Sequence, residues 1–259
     1  MNSLSLIFTI LTMTVTTITA PLAPAEEKSD QQIHQTNTGM IAPNFLVFLN
    51  LQHEPCLGTL IHKQWILTAA HCYLPFFHIS IAALKEDHFQ NKMGILVPTL
   101  TIRHPNFTMN SVEHDLMLIK VKNPIMLNDE IKLAVLPNST DNRIGSKCTV
   151  SGWTWTWKKS FRIREIQKNL EVVWYSDDDC QLSLIREFPL QITENIFCAG
   201  SAPDDTLSCQ EVAAAPILCQ NQLQGILSWS DGCALTGDVS YYTKVSHYTD
   251  WILQVIHTN

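Results

Sequence analysis

Leu67-Thr68-Ala69-Ala70-His71-Cys72 is the most specific string in the 259-residue chain. It grows out of the short apolar run Trp65-Ile66-Leu67, and runs of that kind recur on both sides of it: Phe45-Leu46-Val47-Phe48-Leu49, Leu116-Met117-Leu118-Ile119 and Gly225-Ile226-Leu227-Ser228-Trp229. Turn-formers separate them. Many short strands at such spacing predict an all-β sandwich or barrel. Helical periodicity is clearest at the C-terminus, where Tyr248, Trp251, Ile252, Val255 and Ile256 share one face and Ser246 or Thr249 is placed to cap. There is no internal repeat and no low-complexity tract. The polar stretch at residues 138–145 is placed to join two halves of similar size.

Composition narrows the classes. The formal charge of −7 argues against a nucleic-acid or polybasic membrane partner, since both need a positive surface. Hydrophobic residues at 46% and charged residues at 16% are the reverse of a disordered chain. The eight cysteines mean disulfides in a secreted chain and metal or free thiols in a cytosolic one. The N-terminus chooses the first. Met1 to Ala20 carries no charge, has an apolar stretch over residues 4–18, and is followed by small residues, so residues 1–25 read as a secretory signal peptide cut after Ala20 or Ala25. That predicts a secreted protein with no membrane contact after signal removal. The sequons at Asn106 and Asn138 suit an extracellular glycoprotein. Residues 26–41 are polar and aperiodic, a flexible lead-in to one domain at 42–259.

The string ending in His71-Cys72 closely resembles the segment that carries the catalytic histidine of trypsin-like (peptidase S1) serine proteases. Further likenesses follow in that family's order: Asp115-Leu116-Met117-Leu118-Ile119-Lys120, Ser151-Gly152-Trp153, Ile196-Phe197-Cys198-Ala199-Gly200, Leu223 to Trp229, Tyr242-Thr243-Lys244-Val245 and Trp251-Ile252. The resemblance implies two antiparallel six-stranded β-barrels, about 42–138 and 139–245, with a C-terminal helix at about 246–257. It also implies the disulfides Cys56–Cys72, Cys148–Cys219, Cys180–Cys198 and Cys209–Cys233, which use every cysteine. A zinc site needs close Cys-x-x-Cys or His-x-x-x-His pairs. There is no Cys-x-x-Cys pair, so no metal and no cofactor is expected. Glu86 and Asp87 lie near where family members hold calcium, but the next acidic residue is Glu113, so the second half of such a site is missing.

Peptide hydrolysis in this family needs a serine nucleophile, a histidine base, an orienting aspartate and backbone N–H donors for the oxyanion. By resemblance His71 and Asp115 match two of these roles. The third falls in Cys209-Gln210-Glu211-Val212-Ala213-Ala214-Ala215-Pro216, where Ala213 takes the nucleophile position. A methyl group cannot attack a carbonyl, and removing such a nucleophile costs about 10⁶ in turnover. Glu211 replaces the glycine whose N–H faces the oxyanion, and losing one such donor costs about 10²–10³. Val212 replaces the aspartate that pairs with a new amino terminus after zymogen cleavage, and residues 29–36 offer no Ile-Val-Gly-Gly-like start. Both ends of that buried pair are missing together, which is coherent because either one alone would be costly.

In the specificity pocket Leu207 takes the base position, where trypsin carries an aspartate, so Lys or Arg would not be held. Ser230 and Ser240 replace two glycines that leave the slot open, beside Ser228 and Trp229. These replacements account for part of the glycine deficit, 9 in 259 against a usual ~7%. The nine histidines other than His71 read as surface or satisfied residues. Trp153, Trp155 and Trp157 share one side of an extended strand, either packing a loop locally or forming an aromatic patch for a partner.

The whole predicts a secreted, monomeric trypsin-like homologue that is catalytically inactive and binds a protein or peptide. The alternatives are a weak serine-type endopeptidase with apolar specificity, using His71 with water or another serine such as Ser208 or Ser228, and a secreted structural glycoprotein with no cleft function. The Val-Ala-Ala-Ala-Pro ending and the missing activation site resemble the inactive homologues called trypsin-X, a likeness that alone suggests reproductive secretions.

Overall fold

The computed structural model describes residues 45–50, 56–73, 78–81, 95–129, 131–138, 144–150, 154–158, 161–165, 170–183, 192–200, 213–230 and 239–259. Two units divide the chain, Met1–Asn37 and Thr38–Asn259, and all described residues belong to the second.

The first half forms β1 (Leu46–Asn50), β2 (Cys56–His62), β3 (Trp65–Thr68), β4 (His78–Ile81), β5 (Ile95–Leu96), β6 (Pro98–Arg103) and β7 (Met117–Val121). They make one antiparallel sheet in the order β5-β4-β1-β2-β3-β7-β6. Its two ends, β5 and β6, are one stretch of chain interrupted only at Val97, so the ladder returns on itself.

The second half supplies β8 (Lys147–Val150), β9 (Thr154–Lys158), β10 (Phe161–Glu165), β11 (Leu170–Trp174), α1 (Asp177–Ser183), β12 (Ile196–Gly200), β13 (Pro216–Cys219), β14 (Gln222–Ser230), β15 (Val239–Lys244) and α2 (Thr249–Thr258). Six of these strands close a barrel in the order β11-β12-β15-β14-β13-β8, while β9 and β10, among the described residues, pair with each other in a separate two-stranded sheet. The mostly-β architecture with a short C-terminal helix is as the resemblance implied.

Strand alternation ties the halves together. On β1, Val47 and Leu49 enter the first core, with Leu60, Ile66 and Leu118. Leu46 and Phe48 point the other way and pack with Trp174, Phe197 and Tyr242 of the second barrel. A period of two puts alternate residues of one strand on opposite faces, and here both faces are buried. In the second core Trp174 stacks on Phe197 at 3.7 Å between ring centroids.

Two of the remaining glycines, Gly58 and Gly225, fill positions with no room for a side chain. A Cβ on Gly225 would lie 2.7 Å from the Phe197 ring and 2.8 Å from Tyr242 Cβ; one on Gly58 would lie 2.5 Å from Ile66 Cγ2.

The C-terminal helix differs from expectation at its start. A 3₁₀ turn runs over Val245–Tyr248 before α2 begins. Tyr248 stands at the N-cap, and neither Ser246 nor Thr249 caps it; Thr249 Oγ1 donates instead to Val245 O at 3.4 Å. The expected apolar face is present: Tyr248, Ile252 and Val255 are buried in the first core, with Trp251 and Ile256 against it. Three of the implied disulfides are formed, Cys56–Cys72, Cys148–Cys219 and Cys180–Cys198; Cys209 and Cys233 lie outside the described residues.

Candidate active-site remnant

His71 lies in a single 3₁₀ turn, Ala70–Cys72, immediately after β3. No side chain caps that turn from its own N-terminus. The Asp115 carboxylate does so from 44 residues away: His71 N–H donates to Oδ1 at 2.9 Å. The other carboxylate oxygen, Oδ2, is 2.6 Å from His71 Nδ1 and accepts from Ser228 Oγ at 2.6 Å. Asp115 is 2% exposed, so these three bonds offset the cost of burying a carboxylate. An ionised carboxylate only accepts, which puts the proton of the Asp115–His71 bond on Nδ1; in the neutral imidazole Nε2 then keeps a lone pair. The imidazole side chain is 32% exposed and open to a ligand.

Two backbone irregularities aim these groups. His114 has φ 55 and its carbonyl accepts from Leu116 N–H at 2.7 Å, a tight turn that delivers Asp115 just ahead of β7. On β14 the register with β15 shifts between Leu227 and Trp229, so Ser228 sits on a bulge and its hydroxyl reaches across the barrels.

Ala213 begins the segment leading into β13. It bridges Cys56, and Leu57 N–H donates to its carbonyl at 2.9 Å. Cys56 is bonded to Cys72, the neighbour of His71. The position expected for the nucleophile is thus tied through one disulfide to the turn carrying the base. Ala214 follows with φ 60 and no exposure, and Ala215 O accepts from Leu227 N–H at 2.9 Å. The alanine run is therefore pinned to β2 on one side and to β14 on the other.

Of the expected pocket residues, Ser228, Trp229 and Ser230 lie on β14 and Ser240 on β15. Ser230 and Ser240 are cross-strand partners, so the two expected pocket serines share one rung. Trp229 packs at a tilt on Tyr241, 5.5 Å between centroids. Leu207, Ser208, Glu211, Val212, Glu86, Asp87 and Trp153 lie outside the described residues. Asn106 and Asn138 are both exposed. Cys56, His71 and Cys72 have potential ligand atoms within 4.8 Å of one another, but the two sulfurs are joined in a disulfide and offer no thiolate to a metal.

Reading the remaining histidines one by one missed a cluster next to Asp115. His104 and His114 stack on each other, and Glu113 accepts from Thr193 Oγ1 and, at 3.0 Å, from Asn195 Nδ2 of the second half. The only signal in the sequence was the Glu113-His114-Asp115 run, which by itself reads as a polar turn. A groove of about 400 Å³ lies beside this cluster, lined by Thr101, Arg103, His104, Pro105, Phe107 and Met109.

The trypsin family pattern matches residues 32–252. Serine protease 58 of Homo sapiens is 37% identical over 218 residues, 84% of this chain and 89% of that protein. Cationic trypsin-3 of Rattus norvegicus is 35% identical over 215 residues, 83% of this chain and 85% of that one. A Bos taurus protein named "Probable inactive serine protease 58" is 33% identical over 222 residues, 85% and 90% of the two chains. By the extent of that match and by these identities, the chain belongs to the trypsin family of serine proteases and their homologues.

Proposed function

We propose that this chain is a secreted pseudo-protease that binds a protein or peptide in the former cleft without cutting it. The observation that carries the reading is the contrast around Asp115. Its bonds to His71 and Ser228 are intact at 2.6 Å each. The residue in register with the nucleophile, Ala213, has only a methyl group. A base without a nucleophile positions and hydrogen-bonds but forms no acyl-enzyme. Leu207, Ser230 and Ser240 favour an apolar or small contact over a Lys or Arg side chain. Secretion rests on the apolar, uncharged leader and the disulfides.

The intact Asp115–His71 pair favours one second reading, a weak hydrolase in which His71 activates water. One experiment separates the two. The purified secreted protein is assayed on a peptide library and with a serine-reactive phosphonate. Beside it runs a revertant carrying Glu211→Gly, Val212→Asp, Ala213→Ser, Ala214→Gly and Ala215→Gly behind a cleavable Ile-Val-Gly-Gly start. Silence from the wild type with turnover by the revertant supports the pseudo-protease. Cleavage by the wild type above a no-enzyme control overturns it.

A further inference from the structure

The segment from His104 to Leu116 is a loop pinched shut at its base, where His104 N–H donates to Leu116 O at 2.9 Å. Asp115 sits at the closing end. The His104 ring is half-buried: it stacks on His114 at 4.8 Å with 13° between planes, and meets Tyr248 and Trp251 edge-on at 5.1 and 4.9 Å. Its Nδ1 accepts from Asn106 N–H at 3.3 Å. The His114 Nδ1 is 2.9 Å from the Tyr248 hydroxyl. The pair thus joins the loop carrying Asp115 to the C-terminal helix, while Glu113, between them in the chain, joins the same loop to Thr193 and Asn195.

We propose that the stacked His104–His114 pair is an acid-sensitive latch: neutral, it holds the Asp115 loop against the C-terminal helix, and protonation of His104 releases that loop and loosens the His71–Asp115–Ser228 arrangement.

Two imidazoles stacked face to face repel each other once both carry a proton. A proton on His104 Nδ1 also removes the acceptor that holds Asn106 N–H. Arg103, next to His104 in the chain, lines the same groove, with its guanidinium over the Tyr73 ring. The acidic group, Glu113, faces His114 instead, 4.0 Å from its Nε2. From the helix side come the neutral Tyr248 phenol and the Trp251 ring. Beyond them, Glu194 and Lys244 act on Tyr248 and His247, not on His104. Burial, and then His114, hold the His104 pKa below the ordinary histidine value. The groove gives protons a route to the ring.

With a lowered folded pKa, the contribution of His104 is complete above about pH 6.5 and is lost as pH falls through the folded value. His247 is also lowered, by burial and Lys244, so a global stability profile alone does not identify the latch. The experiment is amide hydrogen exchange on the intact, disulfide-bonded protein at about pH 7.5 and about pH 5, corrected for intrinsic rates and read on peptides spanning 104–116. The wild type is expected to lose about tenfold or more of its protection there at acid pH. His104→Phe, which keeps a ring and cannot titrate, should hold its protection at both values. His114→Asn, which removes the second charge, should shrink the acid loss and covers the case in which His104→Phe does not fold. His247→Asn should leave the loss intact. Equal protection of the wild type at both pH values overturns the proposal. So does an undiminished acid loss in the His104 and His114 variants, or its disappearance in His247→Asn.

Discussion

Ser228 Oγ lies 2.6 Å from Asp115 Oδ2, the oxygen that His71 Nδ1 approaches at the same distance. The bond crosses 113 residues of sequence and closes a hydrogen-bond network between the barrels. Whatever the cleft now does, this hydroxyl satisfies a buried carboxylate. Ser228→Ala should therefore destabilise the fold by about 1–3 kcal/mol, since the oxygen loses a partner without regaining water. Denaturant unfolding followed by tryptophan fluorescence measures this. An unchanged midpoint would mean that solvent already serves that oxygen.

Ala214 has φ 60 and is fully buried. An L-residue with a Cβ pays about 1–2 kcal/mol in this region. Ala214→Gly removes that strain but also about 0.8 kcal/mol of methyl burial, so the net change should be small and in the stabilising direction. Ala214→Val adds bulk and β-branching at the same φ and should cost more than about 2 kcal/mol. Thermal unfolding of the two variants should move in opposite directions; a shift the same way for both would refute the strain argument.

Cys148–Cys219 spans 71 residues and links β8 to β13, neighbours in the closed barrel. Both half-cystines are buried, at 2% and 0% exposure. The loop-entropy relation gives about 4 kcal/mol for a closure of this length. Replacing both with alanine should lower stability by about 2–5 kcal/mol, more than the loss of Cys56–Cys72, whose separation is only 16. Paired denaturant titrations of the two double variants would expose a reversed order.

Tyr248 should make the fold sensitive to alkali. Burial, and then Glu113, push its phenol well above the usual value near 10, against a smaller lowering by the His114 backbone. A raised folded pKa gives stability that is complete below the unfolded value and lost as pH rises beyond it. Stability should hold to about pH 10 and fall above it. Tyr248→Phe should flatten that fall while costing about 1 kcal/mol at neutral pH for the lost bond to His114 Nδ1. Unfolding midpoints at about pH 9 and about pH 11 test the slope; an equally steep alkaline loss in the phenylalanine variant would assign it elsewhere.

The runs legible as strands are those whose residues are apolar on both faces. Leu46 to Leu49 is the plainest, because it serves two cores and reads as a continuous apolar string. The helix face from Tyr248 to Ile256 was equally legible from its period. The helix start was not: Ser246 and Thr249 are both good capping types, and the intervening 3₁₀ turn put Tyr248 at the cap instead. Such a turn follows from how the chain leaves β15, which local preference does not encode. His104 and His114 were legible only as surface or satisfied residues, because nothing in the sequence says that two rings ten positions apart will stack.

The sequence by itself determined the chemistry available at each position. A methyl at 213 has no lone pair in any fold, and an even set of eight cysteines can be wholly cross-linked. Only the tertiary structure decided which groups meet. His71, Asp115 and Ser228 come from a 3₁₀ turn, a positive-φ corner and a strand bulge. The 2.6 Å Ser228–Asp115 contact, like Glu113 reaching Asn195, exists because two separately built β-structures share one buried seam, while the His71–Asp115 contact follows from the pairing of β3 with β7. Long-range contacts of this kind are set by how whole sheets pack, and no window of neighbouring residues contains that information.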